Sequence, residues 1–148
     1  MTNHNRKNIF VNSAIASSFI AESIEKHSNK TAIGGHSIFL GQVRADRVRD
    51  KHVREIEYTA HEPLALETMH TIREEIFKKY PLICMHVYHS LGKVAIGEIC
   101  LFVFTSSAHR KAAIDACEEI VERIKVELPI WGKEIFSDET HQWKMNNL

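Results

Sequence analysis

Apolar residues recur along the chain at two spacings, and each spacing predicts one kind of secondary structure. Where apolar residues lie three or four positions apart, we expect helices, over residues 12–27, from Pro63 to near Lys79, and from Ser106 to Lys125. Where they alternate with polar residues or form short apolar runs, we expect strands, over 36–43, 53–60, 83–88 and 98–105. Turns are predicted at Leu91-Gly92 and Ile96-Gly97, and the charged stretch 45–51 is predicted to be an exposed, mobile loop.

The order of these elements predicts an α+β fold, a two-layer domain with helices packed on one face of a mostly antiparallel sheet. The 148 residues fit a single domain over 1–148, with a polar tail from about residue 137. Ser106-Ser107 is predicted to cap the last helix. The buried stripes of the last two helices are predicted to be Ala65, Met69, Ile72 and Ile76, and Ala113, Cys117, Ile120 and Ile124.

The composition excludes several classes of function. Because 19 Lys and Arg balance 19 Asp and Glu, no overall field draws the chain to nucleic acid or to an acidic membrane, and any anion site must be local. The cysteines Cys84, Cys100 and Cys117 are far apart and form no CxxC pair, which indicates core thiols in a reducing compartment. No apolar run is long enough to span a membrane, so we expect a cytoplasmic protein.

The segment from Lys125 to Glu134 has the most informative chemistry in the chain. Pro129 ends the last helix, and the bulky Trp131 separates Lys125 from a second cation, Lys133. Two lysines held in place by packing suit an acid–base catalyst or a phosphate-binding site. The alternative is an ordinary helix end, where the dipole favours lysine and the tryptophan belongs to the core. These ten residues leave both interpretations open.

Two other groups of cations are candidates for binding an anion. His109, Arg110 and Lys111 occupy the predicted first turn of the last helix, where the dipole disfavours cations unless an anion is bound there. Arg44 ends an apolar strand that contains Gly41, and arginine can bind phosphate through two parallel hydrogen bonds. The alternative for each group is that the side chains simply extend into water.

No metal site or resident cofactor is expected. Cys84, His86 and His89 are close in sequence, but strand alternation sends Cys84 and His86 to one face and His89 to the other. Three residues so divided form a poor set of metal ligands. Glycine-rich phosphate loops, dinucleotide-binding spacing and nucleophile elbows are absent from the sequence.

Three separated segments together resemble one family, the large, catalytic subunit of molybdopterin synthase. They are Phe39-Leu-Gly-Gln-Val-Arg44, Ser107-Ala-His-Arg110 and Lys125-Val-Glu-Leu-Pro-Ile-Trp-Gly-Lys-Glu134. Shorter similarities lie between them, at Ile56-Glu-Tyr58, Tyr80-Pro-Leu82, His89-Ser-Leu-Gly92 and Ile96-Gly-Glu98. The resemblance covers roughly residues 34–143, and the order and spacing of the motifs make it specific.

The resemblance implies an enzyme that converts cyclic pyranopterin monophosphate to molybdopterin without a metal. Sulfur would arrive as a thiocarboxylate on the C-terminal Gly-Gly of a small ubiquitin-like sulfur-carrier subunit. It further implies a homodimer of large subunits within a 2:2 heterotetramer. The charged loop 45–51 and the polar tail near Trp143 are candidate walls of the channel that takes the carrier's C-terminal tail.

The resemblance also assigns roles to residues by position. Lys125 matches the family's main catalytic lysine, while the family's second lysine, directly after the tryptophan, is replaced by Gly132. The neighbouring Lys133 is therefore the candidate for the second catalytic role. The implied substrate-binding residues are Gln42, Val43, Arg44, His109, Arg110, Lys125, Gly132, Lys133 and Glu134. The main alternative is a non-catalytic α+β domain that binds an anion or a protein tail, and a ferredoxin-like oligomerisation module is a third interpretation.

Overall fold

The computed structural model describes residues 7–145, which form eight strands and three helices. The elements are β1 (Phe10–Asn12), α1 (Ser17–Glu25), β2 (Gly35–Gln42), β3 (Arg47–Val48), β4 (Lys51–Ala60), α2 (Glu62–Lys79), β5 (Leu82–Ala95), β6 (Ile99–Ser107), α3 (Arg110–Glu127), β7 (Ile130–Phe136) and β8 (His141–Trp143). Within the described part, no helix is both long and apolar enough to cross a membrane.

The strands form one sheet in the order β2-β6-β5-β4-β7-β8, with β1 beside β5 and β3 beside β4. Every pair is antiparallel except β1 with β5. The prediction of an α+β fold, with helices packed on a mostly antiparallel sheet, is therefore confirmed.

The main core lies between the sheet and helices α2 and α3. The stripes predicted from the sequence are buried in full: Ala65, Met69, Ile72 and Ile76 on α2, and Ala113, Cys117, Ile120 and Ile124 on α3. All of them except Ala65 and Ala113 belong to one cluster with Leu101 and Val103 of β6. Phe102 and Phe104 alternate with these residues and join Ile15 and Ile20 in a second cluster. Helix α1 therefore lies on the opposite face of the sheet, whereas the sequence predicted a single helical face.

Local chemistry fixes the ends of α2 and α3. The His61 ring caps α2 by accepting a hydrogen bond from the Leu64 N–H at 3.2 Å, and Pro63 occupies the first turn. Ser107 lies before α3, and its hydroxyl accepts from the Ala113 N–H at 3.1 Å. Ser107 thus caps α3, although the residue at the N-cap position is His109, whose side chain makes no capping bond. Helix α3 ends at Glu127, two residues before Pro129.

Two local predictions were wrong because strand pairing extends further than the residues indicate. The first helix was predicted from residue 12, but it begins at Ser17, since residues 10–12 pair with β5. A turn was predicted at Leu91-Gly92, but β5 continues through it. Gly92, with φ +84°, marks the change of partner from β6 and β1 to β4.

Two segments predicted to lack regular structure pair as short strands. The stretch 45–51 contains β3, which forms a tight hairpin with β4. Beyond Ser137, β8 folds back on β7 and pairs Ile135 with His141. Asp46, just before β3, and Lys144, just after β8, line the cavities described below, so these two segments have defined positions beside them.

Candidate active site

Two adjoining cavities open beside the C-terminal end of α3, where Lys125 lies in the last turn. Both cavities are lined by Tyr58, Cys100, Lys125 and Lys144. One cavity extends toward the end of β2, and the other extends toward the start of β7. The end of α3, the end of β2 and the start of β7 therefore surround a single recess that contains Lys125.

The cavity toward β2 contains Gln42, Val43 and Arg44, together with Lys125. The Arg44 guanidinium is held by two hydrogen bonds to the Asp46 carboxylate, at 3.1 and 3.2 Å. This pair is exposed, with 70% of the arginine side chain accessible, so it is weak and an incoming anion can compete for the guanidinium. The structure therefore brings the predicted residues 42–44 to Lys125.

The cavity toward β7 is lined by Gly132, Trp131, Tyr58 and His89 with Lys125. Burial is the main cause that raises the Tyr58 pKa, and the hydroxyl donates to the Cys100 sulfur at 3.5 Å. Burial also lowers the His89 pKa to about 4, and the Lys125 charge adds to that effect. The tyrosine and histidine are therefore neutral near pH 7, and the charges facing this cavity come from the lysines.

His109 and Arg110 lie at the other end of α3. They line a separate recess with Gly34, Ala108, Lys111, Ile114 and Asp115. Arg110 precedes Lys125 by fifteen residues along one helix, which corresponds to about 22 Å at 1.5 Å per residue. Within one protomer, a single small substrate cannot contact both ends of α3.

Lys133 and Glu134 point to opposite faces of β7. The Lys133 ammonium lies 3.2 Å from the Glu57 carboxylate, in a recess with Arg54 and Lys93. Because Gly132 and Tyr58 share the other face, Lys133 points away from Lys125. Glu134 is buried and accepts a hydrogen bond from the Gln142 amide at 2.9 Å.

The sequence and the fold are both similar to those of one family of known proteins. Residues 15–127 match the family model described as MoaE protein. The chain belongs to the MoaE protein family. The resemblance to molybdopterin synthase large subunits is thereby confirmed. The chain is 38% identical over 124 residues to an Aspergillus niger protein named molybdopterin synthase catalytic subunit, an alignment that covers 84% of this chain and 68% of the relative.

Solved structures of MoaE-like proteins share this fold. A structure described as molybdopterin synthase from Staphylococcus aureus superposes with a TM-score of 0.82 at 30% identity, covering 97% of this chain and 100% of the other. A Helicobacter pylori complex of subunits 1 and 2 of molybdopterin-converting factor gives 0.78 at 17% identity, with coverages of 93% and 90%, and supports the fold alone. The alignment covers 31% of the length of a Drosophila willistoni relative and 76% of the length of a Bacillus subtilis relative, both named molybdopterin synthase catalytic subunit.

Lys144 is the cationic residue of the two cavities that the sequence did not indicate. It follows Trp143 in the segment interpreted as a polar tail, and it lines both cavities with Lys125. Asp138 was the sequence signal for the return of the chain to β7, because an aspartate between a strand and a polar segment favours a tight turn. The Asp138 carboxylate accepts from the Thr140 N–H at 3.1 Å and stabilises the turn that returns the chain to β7.

His27, Cys84 and His86 form the cluster in the described residues that could hold a metal, with potential ligand atoms within 4.8 Å of one another. His89 lies on the other face, as strand alternation predicted. Both ring nitrogens of each histidine in the cluster already have hydrogen-bond partners. Lys7 Nζ donates to His86 Nδ1 at 2.8 Å, the two Nε2 atoms are 3.0 Å apart, and His27 Nδ1 lies 2.7 Å from the Ser23 carbonyl. A cation bound there would have to displace hydrogen bonds of this network.

Proposed function

We propose that this MoaE-family chain is a molybdopterin synthase catalytic subunit that converts cyclic pyranopterin monophosphate to molybdopterin. The sulfur donor would be the thiocarboxylated C-terminus of a small ubiquitin-like subunit. The observation that carries the proposal is the pair of adjoining cavities that meet at Lys125. Family membership and the names of the relatives support the same activity.

The charge distribution of the recess suits this reaction. The substrate phosphate and the thiocarboxylate are both anions, so they repel each other unless cations hold them together. Arg44 after β2, Lys125 in α3 and Lys144 after β8 supply positive charge from three parts of the fold, and the Asp46 carboxylate is already bound to Arg44. Cations fixed by the fold stabilise such an encounter without reorganising during the reaction.

Lys125 would act on the intermediate that links carrier to substrate. The thiocarboxylate sulfur would displace an oxygen substituent from a carbon of the pterin side chain, so that a C–S bond forms as a C–O bond breaks and the oxygen leaves in protonated form. The sulfur remains bonded to the carrier's acyl carbon, and the dithiolene takes two such transfers. Water then adds to that acyl carbon, and the carbon–sulfur bond to the carrier breaks. The carrier leaves as a carboxylate, and the sulfur stays on the pterin. The Lys125 ammonium stabilises the oxyanion formed when water adds.

His109 and Arg110 would serve this reaction from a second copy of the chain. The length of α3 keeps them about 22 Å from Lys125 in their own protomer, since they lie at opposite ends of one helix. A two-fold dimer that places the start of one α3 beside the recess of its partner would complete the site. The predicted homodimer within a 2:2 assembly then becomes a requirement of the chemistry.

The roles predicted for Lys133, Gly132 and Glu134 remain predictions. The ion pair with Glu57 favours a structural role for Lys133, because it commits the ammonium to the opposite face of the sheet. Gly132 would bind substrate only through its backbone, and Glu134 would hold β8 against β7 through Gln142. A cytoplasmic location fits the three buried free thiols, and cell fractionation would test it.

A single-turnover assay with the substrate and a thiocarboxylated carrier tests the proposal. Wild type should form molybdopterin, and Lys125→Ala should lose at least about 100-fold in rate, since it removes charge stabilisation at the reacting centre. Lys133→Ala decides between a catalytic role, which predicts a comparable loss, and the ion pair, which predicts little change. Wild type that binds the carrier but makes no product would support the alternative, a non-catalytic domain that binds an anion or a protein tail. That alternative is favoured by one feature, Gly132.

A further inference from the structure

Strand β8 places Lys144 directly opposite Gly132. The pairing of β7 with β8 joins Lys133 to Trp143 and Glu134 to Gln142, and the next pair in this register is Gly132 with Lys144. The Lys144 N–H donates to the Gly132 carbonyl at 2.7 Å, which closes that pair. Residues opposite each other on antiparallel strands project their side chains to the same face.

That face is the one that lines the recess. A Cβ atom built on Gly132 would lie 3.2 Å from a Tyr58 ring carbon and 3.0 Å from Ile56 Cγ2. A side chain at position 132 would therefore need Tyr58 and Ile56 to shift by a few tenths of an ångström. Lys144 reaches the same recess from the neighbouring strand, and it lines both cavities beside Lys125.

The charge of Lys144 is available to an anion. Within residues 7–145, its ammonium forms no ion pair, whereas Lys133 on the opposite face is paired with Glu57. Asp46 is the one carboxylate among the described residues that line the two cavities, and it is bound to Arg44. Glu134 lies on the same face as Gly132, and its carboxylate already accepts a hydrogen bond from Gln142. A cation that forms no ion pair, beside a second lysine, favours a bound anion between the two.

We propose that Lys144 is a substrate-positioning residue, which supplies from β8 the second ammonium of the recess and binds the anionic groups of the reactants with Lys125. Gly132 and Lys144 then form a matched pair, in which the absence of a side chain on β7 is offset by a cation on β8. This inference rests on the proposed function and deepens it by naming a residue for the second cationic role.

The test compares Lys144→Gln and Lys144→Arg with wild type in the single-turnover assay, over a range of substrate concentrations. Lys144→Gln should raise the half-saturating substrate concentration by roughly 10- to 100-fold, as expected for losing a hydrogen bond to a charged group. Lys144→Arg should restore most of the affinity because it keeps the charge. Lys93→Gln is the matched control, since it removes one exposed lysine charge on the opposite face of the sheet.

Inorganic phosphate provides a second readout that does not depend on turnover. Phosphate should compete with substrate in wild type and in Lys93→Gln, and its inhibition constant should rise in Lys144→Gln by a factor similar to that for substrate. Thermal unfolding of each variant checks that β8 remains in place. Product formation by wild type with unchanged kinetics in Lys144→Gln would overturn this inference alone. Wild type without product, despite carrier binding, would instead overturn the proposed function.

Discussion

Mixing two inactive variants tests whether the active site is shared between two copies of the chain. One variant is Lys125→Ala, which removes the lysine at the end of α3, and the other is Arg110→Ala, at its start. In a mixed dimer, a shared site has either both substitutions or neither. If each protomer contained its own complete site, both sites of the mixed dimer would carry one substitution and stay inactive.

The expected recovery follows from the length of α3. Because about 22 Å separates the two positions along the helix, an Arg110 that contacts substrate bound at Lys125 would have to come from the partner. Random pairing of equal amounts of the two variants makes half of the dimers mixed, and each mixed dimer has one intact site of two. The mixture should therefore show about a quarter of wild-type activity.

The assay co-expresses the variants with different affinity tags and compares the random mixture with dimers purified through both tags. Doubly tagged dimers should reach about half of wild-type activity, because one of their two sites is intact. Dimers carrying Lys125→Ala on both chains are the matched control and should stay inactive. Activity near zero in the doubly tagged dimers, with dimerisation unchanged, would refute the shared site.

Three further predictions concern stability and packing. His89 has an ordinary pKa of 6.5 and a folded-state pKa of about 4, so protons bind mainly to the unfolded state as the pH falls through this range. The free energy of unfolding, measured with urea, should therefore fall by about 3 kcal/mol between pH 6.5 and 4 because of this residue. His89→Gln should flatten this pH dependence. Ile120→Ala should cost about 3 kcal/mol, since Ile120 is fully buried, whereas Ile114→Ala on the exposed side of α3 should cost less than about 0.5 kcal/mol by the same measurement. Gly132→Ala should lower the melting temperature, because its new methyl group meets Ile56 at 3.0 Å, and an unchanged melting temperature would show that the neighbours relax without cost.

The sequence predicted the elements whose periodicity is long and regular. Helices α2 and α3 each repeat their apolar positions over 18 residues, so their buried stripes could be read directly. Strand β1 has only three residues and pairs in parallel with a strand far along the chain. No local pattern specifies such a contact, and the same holds for the two-residue β3.

The candidate site was predictable where its residues have distinctive neighbours in sequence. Arg44 and Lys125 lie in segments with a strong family pattern, and the structure brings them to one recess. Lys133 lies on the opposite face of the sheet from Tyr58 and Gly132. That placement depends on how β7 pairs with β4, which the sequence alone does not specify. Lys144 was missed because its position comes from the register of β8 on β7, and register is a property of two strands together.

The packing around Gly132 couples positions 132 and 144 during evolution. A side chain introduced at position 132 would lie 3.2 Å from the Tyr58 ring and 3.0 Å from Ile56, so these neighbours must shift by a few tenths of an ångström to admit it. Loss of Lys144 while position 132 remains glycine would leave the recess with one lysine fewer. The two positions are therefore epistatic: position 144 can vary freely only after a cation has been gained at position 132.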